Sequence, residues 1–226
     1  MGRVIKGIVN IARRPLVIQK EVVLNYELDK WESHTDYLLP NGVSIESVDA
    51  GNVNDIEKFR GSYSVQEFRR FHAEHCLGAY AYVRGAVIGH LWMEINNTQD
   101  QKLSNGGTLL LRGEGETWYA HVAEEYRGKR IHGNLKELLY GKSRELGCKT
   151  LISRIREDNE ASIRANTRFG MHLNGKATTV TIASGLVTVH KSCDRGHIIL
   201  RPPLTRKGIG VGWSRAHGLK LMLPSS

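Results

Sequence analysis

The chain has 226 residues, with 40% hydrophobic and 24% charged side chains, enough for one substantial domain with a real core. A formal charge of +9 favours an anionic partner (nucleic acid, an anionic membrane or a phosphorylated ligand), although charge alone specifies none of them. Cys76, Cys148 and Cys193 are odd in number and widely spaced, which excludes a disulfide framework and points to a cytoplasmic location; no apolar run reaches the roughly 18–20 residues of a membrane span.

Residues 1–20 are basic and contain no acid. Their apolar runs are broken by Lys6 and by Arg13-Arg14-Pro15, so a cleavable signal peptide is not expected. Lys6 also argues against a myristoylation signal at Gly2. A docked or frayed terminus is the expectation, with a short basic amphipathic helix as its alternative. Residues 17–28 are β-rich. Pro40-Asn41-Gly42 is a turn signal that divides an N-terminal arm, 1–42, from a main domain, 43–200; a basic extension, 201–226, follows as loop or partly ordered chain.

Within the main domain Val43–Val48 alternates like a strand. Asn52 or Asn54 could cap a helix carrying Val53, Ile56 and Phe59. A second helix is expected over Ser64–His75, with Val65, Phe68, Phe71 and His72 at helical spacing. Ala79–Val83 and Ala86–Ile95 flank Arg84-Gly85 as a hairpin. Residues 96–107 read as a loop and Thr108–Arg112 as a further short strand. Thr117–Val122 is a strand, Lys129–Leu146 a helix closed by Gly147, Thr150–Ile155 a strand and Asn159–Phe169 a helix. Ala177–Ile182, Leu186–His190 and His197–Leu200 are strand-like. The layout is mixed α/β, in the order β-α-α-β-β-β-α-β-α-β-β.

Two segments carry the chemistry. ETWYAHVAEEYRGKRIHGNLKELL, from Glu116, runs from a strand through a basic turn into a helix. Such a turn aims backbone N–H groups and the positive helix end at an anion. KTLISRIREDNEASIRANTRFGM, from Lys149, is a strand, an Asn-headed helix and a closing Phe-Gly. Together they resemble motifs A and B of the GNAT (GCN5-related N-acetyltransferase) superfamily, and the element order is similar to that fold over roughly residues 43–200. The resemblance implies an acyl-CoA-dependent N-acyltransferase, with acetyl-CoA the expected donor, another acyl-CoA the alternative, and no metal. Arg127-Gly128-Lys129-Arg130-Ile131-His132-Gly133 sits where the family has Arg/Gln-x-x-Gly-x-Gly/Ala and would hold the pyrophosphate. Arg130 and His132 replace the two family glycines. Asn159 matches the family Asn that bonds the pantetheine arm, and the backbone around Ala120 or Val122 would stabilise the oxyanion.

Transfer to an amine also needs a proton acceptor. Glu116 is the preferred base, on the strand face of Trp118 and Ala120 by simple alternation. His121, expected on the opposite face, and Glu94 are the other candidates. Where many family members place a tyrosine acid, this chain has Asn166, whose amide is no acid. The acceptor is a small-molecule or protein amine, and a homodimer is compatible with the family. His72-x-x-His75-Cys76 has helical metal-ligand spacing but no evident fourth ligand. Lys129, Arg130, Lys136, Lys142, Arg144 and Lys149 coat the central helix region, yet without the aromatic–basic interleaving of RNA-binding domains. A non-catalytic CoA-binding or partner-binding domain and a basic nucleic-acid-binding protein remain the alternative functions.

Overall fold

The computed structural model describes residues 16–32, 38–182, 185–200, 209–215 and 218–222. Residues 1–15, and with them the amphipathic-helix reading, lie outside the described residues. The first elements are β1 (Val17–Glu27), β2 (Val43–Ser47), α1 (Glu57–Arg60), α2 (Ser62–Ala73), β3 (Leu77–Val83) and β4 (Ala86–Asn96). A small ribbon, β5 (Lys102–Leu103) and β6 (Leu109–Leu110), precedes β7 (Glu114–Val122), α3 (Ile131–Glu145), β8 (Thr150–Arg156) and α4 (Glu160–Arg168). The chain continues as β9 (His172–Ile182), β10 (Val187–Lys191), β11 (Arg195–Leu200), β12 (Ile209–Ser214) and β13 (Gly218–Met222). All strands but the ribbon form one 11-stranded mixed sheet, ordered β13-β12-β11-β10-β9-β1-β8-β7-β4-β3-β2.

Sequence pattern explains the local pieces. Arg84 and Gly85 both have positive φ, 50° and 75°, as a two-residue turn matched to strand twist requires. Ile131, Leu135 and Leu139 of α3 lie four apart and are fully buried, forming the stripe that packs on one sheet face with Leu24, Leu91 and Leu151. Phe68 and Phe71 of α2 cover the other face over Tyr80 and Trp92. Each such side chain contributes about 1.5–3 kcal/mol by leaving water.

Two parts differ from expectation. Residues 17–27, assigned to the arm, form β1 inside the sheet, antiparallel to both β8 and β9. The buried Arg154–Glu21 ion pair ties β8 to it. The tail, expected as loop or partly ordered chain, contains β12 and β13, paired antiparallel. Its signal was present: Ile209, Val211 and Trp213 alternate with Gly210 and Gly212, a period of two.

The sheet opens where the chemistry is expected. The parallel pairing of β7 with β8 covers only Glu114–Thr117 against Thr150–Ser153. Beyond it, β8 continues along β1, up to the Arg156–Glu21 pair, while β7 stays with β4 as far as Val122 opposite Gly89. The two strands therefore fork. On the β4 side, Tyr119 and Ala120 together oppose Leu91, between the Trp118–Trp92 and His121–His90 pairs. This is a β-bulge, with Tyr119 at φ 56°.

Candidate active site

The basic turn lies just past the end of β7. Gly128 and Arg130 have left-handed φ, 74° and 61°, and Arg130 is the N-terminal flanking residue of α3. The left-handed shape that a glycine would adopt freely is thus kept by an arginine, at a cost of about 1–2 kcal/mol. Residues 127–130 are exposed, and His132 and Gly133 are half-buried. Among the described residues, the backbone N–H groups of Gly128, Lys129, Ile131, His132 and Gly133 donate to no protein acceptor. Gly128 and Lys129 belong to the turn, and Ile131, His132 and Gly133 supply the uncommitted first-turn donors of a 15-residue helix. Arg127 Nε donates to the Val122 carbonyl at 3.2 Å, and Lys129 Nζ lies 5.0 Å from the Tyr126 ring centre. Burial and the Lys136 charge push the His132 imidazole down to about 3, so it is neutral at physiological pH.

Asn159 caps α4: its Oδ1 accepts from Ser162 N at 3.2 Å. Its Nδ2 donates to no protein acceptor among the described residues, so the cap leaves half of the amide available.

The three base candidates differ sharply. Glu116 is 1% exposed. Its carboxylate accepts from the hydroxyls of Ser104 and Thr108 and from Thr108 N at 3.3 Å. Gly106 lies directly on it: a Cβ there would sit 2.2 Å from Oε2. Burial pushes the Glu116 carboxyl up, against the opposing pull of Arg154 and these hydrogen bonds. Glu94 is likewise enclosed, accepting from Asn105 N at 2.7 Å and pairing with Lys102 at 2.7 Å.

His121 is half-buried. The bulge shifts the alternation of β7, so that His121 faces α1 and α2 instead of the opposite side. Its ring lies 5.5 Å from Phe59 and 6.1 Å from His90, on the side where Trp118 meets Phe71 at 5.5 Å. Burial, then the charges of Arg60 and Arg127, hold its imidazole below the usual range. A neutral, partly open imidazole can accept a proton.

Lys136 was read as part of the exposed cationic coat. It is instead 1% exposed, between α3 and α4. Its Nζ donates to Asn166 Oδ1 at 2.5 Å and lies 3.3 Å from Met171 Sδ and 5.1 Å from the Phe169 ring centre. Asn166 is held in turn by its Nδ2, which donates to Ser162 O at 2.8 Å. Burial pushes the Lys136 ammonium down to about 7. The signal was its spacing: His132, Lys136 and Tyr140 lie four apart, one face of α3.

His72, His75 and Cys76 line a cavity of about 280 Å³ together with Lys142. Burial, then Glu94 and Glu74, push the Cys76 thiol up to about 12, the opposite of what a thiolate ligand needs. Among the described residues no group of three or more His, Cys, Asp or Glu could hold a metal ion, and no helix is long and apolar enough to cross a membrane.

The sequence matches the model of the acetyltransferase (GNAT) family over residues 46–171, more than half of the chain. No curated protein matches it. Among solved structures, a functionally unknown conserved protein from Staphylococcus epidermidis shares 14% identity at a TM-score of 0.50, over 80% of this chain and 66% of its own. A Drosophila protein shares 12% at a TM-score of 0.53, over 81% and 57%. A tandem GNAT protein from the clavulanic acid biosynthesis pathway shares 14% at 0.52, over 80% and 58%. The chain therefore spans about three fifths of the length of these structures, and the likeness is one of fold. A strand fork, a bulged β7, an amide-lined basic turn and a family match across all of them lead to one assignment: the chain belongs to the acetyltransferase (GNAT) family.

Proposed function

We propose that the protein is an acyl-CoA-dependent N-acyltransferase, with acetyl-CoA as donor and a small-molecule or protein amine as acceptor. The observation that carries this reading is the set of uncommitted N–H groups at Gly128, Lys129, Ile131, His132 and Gly133, beside the fork between β7 and β8. Donors at a helix start suit a diphosphate, and Lys129 and Arg130 add charge. The acyl-CoA unit comprises residues 43–200, with β1 as an added strand. Bound acyl-CoA would supply an acyl group already activated as a thioester.

The residues then divide the work. The Arg127–Gly133 turn holds the phosphates, and Asn159 Nδ2 donates to the pantetheine arm. The bulge re-aims the backbone of Ala120 and Val122 so that an N–H on the open edge of β7 meets the carbonyl oxygen. His121 accepts the proton from the amine. Glu116, sealed by Ser104 and Thr108, acts by fixing the 104–108 loop that walls the acceptor side. Lys136, whose Nζ bonds the Asn166 that takes the family tyrosine's place in the sequence, is the proton source for the departing thiolate. The enclosure of Glu116 and Glu94 favours one rival, a domain that binds CoA without turnover.

The test is calorimetry and thermal melting with CoA and acetyl-CoA. Acetyl-CoA at a hundred times its Kd should stabilise the fold by about 2.7 kcal/mol. Absence of both heat and melting shift at millimolar ligand defeats the reading. Binding without thiol release across a broad amine panel selects the non-catalytic rival.

A further inference from the structure

On the α3 side of the sheet, the strands beyond β8 carry an unusual row. Ile18 pairs with Val180, Val180 with Val189, Val189 with Ile198, Ile198 with Val211, and Val211 with Leu221. Six strands thus put six aliphatic side chains in direct register, and none of the six is buried. Two residues along, Ile182, Val187, Leu200 and Ile209 make a second registered row. On the other side of the first row, Leu219 pairs with Trp213. The seven Ile and Leu side chains of these rows are 42–76% exposed.

The reverse face of the same strands is closed. Ile199, His197 and Ser214 are buried there, under the 97–113 segment: Gln101 Nε2 donates to Ser214 Oγ at 3.4 Å and Arg195 Nη1 to Leu109 O at 3.1 Å. One face is thus finished and the other is an exposed apolar plate. Its exposed area is on the order of 800 Å², the share that each partner gives to a standard interface, and exceeds the roughly 300–600 Å² patch of an ordinary monomer.

We propose that this plate is the interface of a two-fold homodimer, each copy covering the other's β1 and β9–β13. The area suits a second copy, and so does the charge pattern. The rows hold no charged side chain, while Lys20 and Lys191 stand at one margin, facing each other across Thr178. Two chains of charge +9 can meet on this face with their like charges kept outside it. An isologous contact needs a self-complementary surface, and a registered aliphatic row centred on Val189 and Ile198 provides one.

Sedimentation velocity of the full chain at micromolar concentration is the test, and twice the 25.4 kDa chain mass is the expected result. Ile198→Lys, in the middle of the row, should return the monomer while calorimetric CoA binding is unchanged. Leu173→Lys, also exposed but off both rows, should leave the dimer intact. A full chain that stays monomeric at tens of micromolar overturns the proposal, as does a dimer that survives Ile198→Lys. Two further results also overturn it by naming another occupant. In one, a chain lacking residues 1–15 dimerises while the full chain does not; in the other, a monomer floats with phosphatidylglycerol vesicles.

Discussion

Glu116 and Lys136 are equally inaccessible, each 1% exposed, yet the protein treats them in opposite ways. Glu116, on the α2 side, is saturated: two hydroxyls and a backbone N–H donate to it, with Arg154 nearby. Lys136, on the α3 side, has an amide oxygen, a thioether and ring faces, and no carboxylate. A carboxylate given that many donors is a structural anchor. An ammonium given so few is held at the edge of losing its proton, which is the condition of a group that exchanges one.

Breaking the anchor should have the largest effect. Glu116→Ala strands the Ser104 and Thr108 hydroxyls, takes an acceptor from the Thr108 N–H and should cost about 3–5 kcal/mol in urea unfolding, at about 1–3 kcal/mol for each orphaned buried group; a loss below 1 kcal/mol would show the loop to be independent of it. Lys136→Met goes the other way. Since the folded state disfavours the ammonium, the wild-type chain should gain stability as pH rises from about 7 to about 10. Met removes that slope and should stabilise the protein at pH 7 by an amount on the order of a few kcal/mol. A flat wild-type profile across that window would mean that Lys136 keeps its charge. Gly106→Ala should cost about 1–3 kcal/mol, because a Cβ 2.2 Å from the Glu116 carboxylate forces the loop away. The smallest effect should be at the turn. Arg130→Gly relieves the left-handed strain and should gain about 1 kcal/mol, while CoA affinity falls through loss of a cation; unchanged affinity would remove Arg130 from the phosphate site.

Much of this was legible in local pattern. The Arg84-Gly85 hairpin, the α3 stripe and the Asn159 cap depend on residues within a few positions of each other, and each announces itself by turn chemistry or period. The amide-lined turn was readable for the same reason. What was hidden depends on distant partners. His121 changed faces because one extra residue at Tyr119 breaks the alternation of β7, and nothing in the string Trp118–Val122 marks a bulge. Glu116 read as an open base because Ser104, Gly106 and Thr108, which seal it, belong to a stretch whose fold is set by contact and not by propensity. Lys136 was read by its residue type, when its spacing with His132 and Tyr140 already placed it on the face toward α4.

The position of β1 bears on how the chain assembles. The strand is made before both of its partners, and its ladders are completed only with β8 and β9, where Glu21 lies opposite Arg156 and Ala177. During synthesis it must wait for more than a hundred residues to emerge before its edges are satisfied. Pairings so far apart in the chain form slowly, and until they do, a β-rich segment is open to strangers. Overproduction should therefore favour slow translation or low temperature, and a circular permutant cut between β1 and β2, in which β1 follows β13 and lies nearer in sequence to β9, should refold faster than the natural order.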